Sequence, residues 1–186
     1  MAGGEADVFE RCRPVFEAMG KKLVYCGPLG AGQTVKLCNQ IVVGIHNLAM
    51  SECLVFAAAA GISVDRMLEA VSAGAAGSWA LHNLAPKVLR RDFSPGFKVG
   101  LQQKDLRLAL EAADQMRLSL PGLALTHELY NALERRGLGD EGNHALVRAL
   151  EFLCNGEVTG DEKRWDHDRE SSYACPRADD QPEHRT

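Results

Sequence analysis

Lys36 is the only charged residue between Lys22 and Glu52, and it stands in the first turns of a segment that otherwise reads as an apolar helix. An ammonium buried without a partner costs several kcal/mol, roughly, so a lysine in that position reaches water, finds an anion or gives up its proton. At helical spacing Lys36, Asn39, Gln40, Val43 and Asn47 fall on one stripe, which puts a row of amides below the lysine on an aliphatic face. That arrangement suits a general acid/base, because desolvation favours the neutral amine and lets it take and return a proton. A plainer reading stays open, in which Lys36 snorkels to the surface and the amides bond neighbouring loops. The six histidines lack the spacing of a ligand set, and His46 reads as a core or interface residue. No metal is called for.

The elements that must position this stripe are helical. EADVFERCRPVFEAMG repeats apolar residues at the helical period, with Pro14 expected to kink it. KKLVYCG follows as a short β-like run ending in Gly27, Gly30 and Gly32. These glycines could bring the chain close to a substrate or allow a tight turn. A long helix from about Gln33 to Ala60, about 40 Å in length, is stopped by Gly61. Being apolar on most of its circumference, it is expected to be buried all round, at a domain centre or a subunit interface. Ser63 and Ser78 are N-cap candidates for helices over VDRMLEAVS and WALHNLAPKVLR. Helical periodicity returns in QQKDLRLALEAADQMR, after Pro121, and over 143–153. Trp79 and Phe93 read as core residues at least as readily as pocket walls. No strand-helix alternation is present, so the chain reads as an all-α domain.

Composition narrows the partners. The 186 residues are 46% hydrophobic and 25% charged, with a net charge of -4, which suits one domain with a core and disfavours nucleic acid. The apolar run is broken by Asn39, Gln40, His46 and Asn47, so neither a membrane span nor a signal peptide is read. The six cysteines form no C-x-x-C pair and read as free thiols of a cytoplasmic protein. From Asn155 onward 14 of 32 residues are charged, and residues 155–186 are expected to be disordered. GPLGAG has its glycines at the wrong spacing for a dinucleotide fingerprint.

GPLGAGQTVKLCNQ resembles the segment G-x-x-G-x-G-x-x-x-K-x-x-N-[NQ] that opens the helical C-terminal domain of the β-hydroxyacid dehydrogenases. That family includes 3-hydroxyisobutyrate dehydrogenase and 2-hydroxy-3-oxopropionate reductase. The likeness continues through MSE at 50–52, AGS at 76–78, FSPGF at 93–97 and KDL at 104–106, and covers the chain except its tail. The resemblance implies a 6-phosphogluconate-dehydrogenase-like C-terminal bundle around one long central helix. It implies that Lys36 is the general acid/base, that Asn39 and Gln40 hold the substrate, with Gly30 and Gly32 beside it, and that Lys104 approaches the nicotinamide of NAD or NADP. Gln40 stands where many relatives have a second Asn, as in the 2-hydroxy-3-oxopropionate reductase branch.

Residues 1–26 then resemble the end of a Rossmann domain and its connection, and 27–154 the helical dehydrogenase domain. The expected activity is interconversion of a small 3-hydroxy acid and its semialdehyde. Most of the cofactor site is expected in a nucleotide-binding domain outside this chain, leaving the chain inactive alone. The long apolar helix predicts a homodimer or higher homo-oligomer. A non-catalytic helical dimerisation module is the competing reading.

Overall fold

The computed structural model describes residues 1–160, and residues 161–186 lie outside it. Its helices are α1 (Ala6–Met19), α2 (Ala31–Ala59), α3 (Val64–Ser72), α4 (Trp79–Asn83), α5 (Ala85–Leu89), α6 (Val99–Gln115), α7 (Pro121–Arg135) and α8 (Leu146–Cys154), with a 3₁₀ turn over Asn143–Ala145. The predicted β-like run at 21–27 makes only one bridge, Ala2 to Tyr25, with Ala2 N–H donating to Val24 O at 3.0 Å and Cys26 N–H to Ala2 O at 2.7 Å. A lone bridge is not a sheet, since a stable one needs several strands with a shared apolar face. Among the described residues the fold is therefore helical.

Local signals set most helix ends. Gly61 stops α2 at φ +71°, with Ile62 N–H closing back on Ala57 O. The Ser63 and Ser78 side chains accept from Arg66 N–H and Leu81 N–H as N-caps. The single helix expected over 79–90 is instead two, because Pro86 in the first turn of α5 lacks an N–H and crowds the residues before it. Pro14, by contrast, sits within α1, which runs on to Met19.

α2 organises the bundle. Its C-terminal half buries Met50, Leu54 and Val55 against α3, α4 and α5. Another face carries Leu48 into a cluster with Leu106, Leu123, Tyr130, Leu133 and Leu146 from α6, α7 and α8. Gly44 lets α2 pack directly on α6, since a Cβ there would lie 3.1 Å from Leu106 Cδ2. The expectation that α2 is buried all round is corrected in this chain. Val35, Val42 and Phe56 form an exposed apolar face, with Phe56 76% accessible. By length and composition α2 is also apolar enough to cross a membrane. It nevertheless carries Gln40, Asn47 and Ser51 fully inside the bundle, the first two bonded to side chains of α6 and α7.

The start of the predicted disordered tail is ordered. Val158 is fully buried, and its N–H donates to Glu151 Oε1 at 2.8 Å, while Arg91 pairs with the same carboxylate. Residues 155–160 thus close over α5, where Gly160 N–H reaches Leu89 O. One buried valine and a bonded carboxylate offset the polar composition that suggested disorder, and the rest of that expectation concerns residues outside the description. Glu151→Ala should cost about 2 kcal/mol, because it leaves the buried Val158 N–H without its acceptor and leaves Arg91 only Val158 O and the exposed Glu157 carboxylate. Urea unfolding that shows the variant within 0.5 kcal/mol, roughly, of the parent would refute this clamp.

Candidate active-site cleft

The polar stripe of α2 forms one wall of a cleft of about 630 Å³. Lys36, Gln40, Val43, His46 and Asn47 line it from α2, while Trp79, Ala80, Asn83, Leu84 and Lys87 line it from α4 and α5. Gly96, Phe97, Asn143 and His144 complete it. The spacing that aligned Lys36 with Gln40 and Asn47 therefore does bring them to one surface, and the size falls within the range of small-molecule sites.

Lys36 is half-buried rather than desolvated, with Nζ 5.8 Å from the centre of the Phe97 ring. That distance allows a cation–π contact that steadies the side chain. Gln40 is buried and donates through Nε2 to Asp105 Oδ2 at 2.7 Å, and its Oε1 accepts from Asn39 Nδ2 at 3.0 Å. With Nε2 anchored on a carboxylate, the amide orientation of Gln40 is set. Lys104 is half-exposed and pairs with Asp105 Oδ1 at 3.0 Å, so Asp105 joins the cleft wall to the outer lysine.

The other predicted positions separate. Asn39 is exposed and bonds Gln40 but does not line the cleft, so of these two amides only Gln40 is on its surface. Gly30 and Gly32 lie outside it as well. Gly30 takes φ +91° at the N-cap of α2, and a Cβ on Gly32 would come within 3.2 Å of Gly3 N, so turn and close approach account for both. His46, read as core or interface, is exposed on the cleft rim. Trp79 is pocket wall, whereas Phe93 packs between the two core clusters.

Sequence reasoning missed the floor. Tyr130 OH donates to Asn143 O at 2.7 Å and accepts from Asn47 Nδ2 at 3.1 Å, and Asn143 Nδ2 donates to Gln102 Oε1 at 3.2 Å. Burial pushes the Tyr130 phenol above its ordinary range, which keeps it a neutral donor. Asn143 sits more than a hundred residues from Lys36, so no local pattern could have linked them. His144 is buried, its Nε2 2.8 Å from Asp92 O and its ring stacked on Phe93.

Desolvation holds His144 below its ordinary value of 6.5, against the opposing pull of the Asp92 carbonyl. A lowered folded-state value means the unfolded chain binds the proton first. The stabilisation is therefore complete above about pH 6.5 and fades as pH falls through the folded-state value. His144→Gln should remove that part of the acid destabilisation while retaining a donor to Asp92 O. Melting curves with an unchanged pH slope in this variant would count against it.

The chain's similarities are consistent with the cleft. The family described as NAD-binding of NADP-dependent 3-hydroxyisobutyrate dehydrogenase matches residues 30–150. The chain is 45% identical over 149 residues to an uncharacterised oxidoreductase of Synechocystis, covering 80% of the chain and 51% of that protein. It is 43% identical over 158 residues to the 2-hydroxy-3-oxopropionate reductase of Escherichia coli, covering 85% and 54%. The crystal structure of 3-hydroxyisobutyrate dehydrogenase from Salmonella typhimurium superposes with a TM-score of 0.75 at 32% identity, over 80% of this chain and 52% of that one. The chain thus spans about half the length of the relatives it matches. With the matched segment running from the turn before α2 into α8, the chain belongs to the 3-hydroxyisobutyrate dehydrogenase family.

Proposed function

We propose that this chain supplies the substrate-facing and self-associating half of an NAD(P)-dependent β-hydroxyacid dehydrogenase. Its reaction interconverts a small 3-hydroxy acid and its semialdehyde, as 2-hydroxy-3-oxopropionate reductase does. The observation that carries this reading is Lys36, half-buried at the wall of the cleft above Gln40 and beside Phe97. In oxidation the amine takes the hydroxyl proton, and in reduction it returns one to the same oxygen. Gln40 fixes the substrate oxygen through the amide edge that Asp105 orients, with Asn39 holding Gln40 in turn. The apolar wall of Val43, Ala80 and Leu84 excludes water from the reacting end.

NAD or NADP, when bound, takes up or gives the hydride. The chain's own contact for its nicotinamide end is Lys104, whose exposed ammonium is held by Asp105 at the outer end of the Gln40–Asp105 chain. Its ammonium would donate to the carboxamide oxygen of the nicotinamide end. Residues 1–26 are read as the connection to the nucleotide-binding half, and the bundle from Gly27 as the 6-phosphogluconate-dehydrogenase-type domain. The test is oxidation of NADH or NADPH by 2-hydroxy-3-oxopropionate, using the chain together with a nucleotide-binding half. Turnover absent for every small semialdehyde tried would refute the assignment.

The exposed face of Val35, Val42 and Phe56 supports a homodimer built on α2. Light scattering at micromolar concentration should give twice the monomer mass, and Phe56→Glu should shift the chain to monomer. A well-folded monomeric parent would remove the idea.

A further inference from the structure

The cleft holds a second lysine that the reaction at Lys36 does not use. Lys87 lies on the α5 wall, and with Lys36 it gives the cleft two ammonium groups, while no Asp or Glu lines it. This is a local excess of positive charge in a chain of net charge -4. The nearest acids are otherwise engaged. Asp105 is taken by Gln40 and Lys104. Asp92 accepts from Ser94 N–H and Oγ through one oxygen, and its other oxygen stands 4.0 Å from Lys87 Nζ. A pair at that distance is too long for a hydrogen bond and weak in solvent, so Lys87 keeps its donors for a ligand.

The cleft that the two lysines share is lined in large part by apolar surface, from Val43, Ala80, Leu84 and Trp79. An aliphatic spacer matches that surface, and a carboxylate matches Lys87. We propose that Lys87 is a specificity-determining residue that selects hydroxyacids carrying a second, distal carboxylate. The inference rests on the dehydrogenase reading of the Lys36 cleft and names the substrate class within it. Low-dielectric walls on either side focus the field of Lys87 into the cleft, which strengthens attraction for a second negative charge.

The test is a pair of titrations of the full 186-residue chain, followed by the amide signals of Gln40 and Asn143, with 3-hydroxyglutarate and 3-hydroxyvalerate as probes. The two acids differ in a terminal carboxylate against a methyl. The dicarboxylate should bind about tenfold tighter, the effect of one charge-assisted hydrogen bond. Lys87→Met should bring the two acids within about twofold of each other without changing 3-hydroxyvalerate, and Lys87→Arg should keep the preference. Equal affinities in the parent, a preference that survives in Lys87→Met, or no response to either acid would overturn the proposal. Turnover with a nucleotide-binding half reads the other assignment separately. Lys87-dependent binding of the dicarboxylate, with no reduction of any small semialdehyde by the assembled enzyme, would end the dehydrogenase reading while leaving dicarboxylate recognition in place.

Discussion

Replacing Lys36 with Met is expected to lower kcat by on the order of 10²- to 10⁴-fold in the enzyme assembled with its nucleotide-binding half, with cofactor affinity near that of the parent. Methionine keeps an unbranched stem and removes the amine, with its contact to the Phe97 ring, so folding and the cleft wall should survive. A general acid/base acts in the transition state, and its loss therefore falls on kcat and kcat/KM together rather than on KM. The pH dependence that a titrating amine imposes on kcat/KM should also vanish in the variant. A lysine that merely reaches water predicts kcat within about twofold and a stability change within about 0.5 kcal/mol. Full rate with the parental pH profile would end the catalytic assignment and leave a helical dimerisation module as the better reading.

Leu106→Ala should be the most destabilising of the substitutions considered, at about 3 kcal/mol and roughly 6–12 °C in Tm for a chain of this size. Leu106 is fully buried on α6, and its methyls fill the space that Gly44 of α2 leaves open. Removing them empties the contact between the two helices that carry Gln40 and Asp105. The stability loss should therefore come with a weakened substrate amide, read as a rise in KM under conditions where the variant is folded. Leu101→Ala, on the same helix but half-exposed, should stay within about 0.5 kcal/mol. Equal effects from the two would mean that the α2–α6 contact is not where the packing energy lies.

Helix identity and the polar stripe of α2 were legible because both depend on residues a few positions apart. The 3.6-residue period gave α2 nearly to its ends, and it put Lys36, Gln40 and Asn47 on one surface without knowledge of what faced them. Caps at Ser63 and Ser78 and the stop at Gly61 were readable for the same reason, since each closes a hydrogen bond within five residues. The alternatives for Trp79 and for Asn39 against Gln40 could not be decided that way. Which face of α2 meets α6, and so which amide reaches Asp105, depends on packing around Gly44 and Leu106.

Tertiary structure alone decided the far wall and the floor of the cleft. Lys87, Phe97 and Asn143 are separated from Lys36 by 51, 61 and 107 positions, and they meet it only because α4, α5 and the 3₁₀ turn are folded back along α2. The order of residues 155–160 was hidden similarly, since one buried valine and the Arg91–Glu151 pair outweigh a polar composition only once α8 has placed Glu151. Periodicity reports what a helix needs to bury. It carries no information about which distant residues complete the surface, because that is set by the bundle's packing energy rather than by any local hydrogen bond.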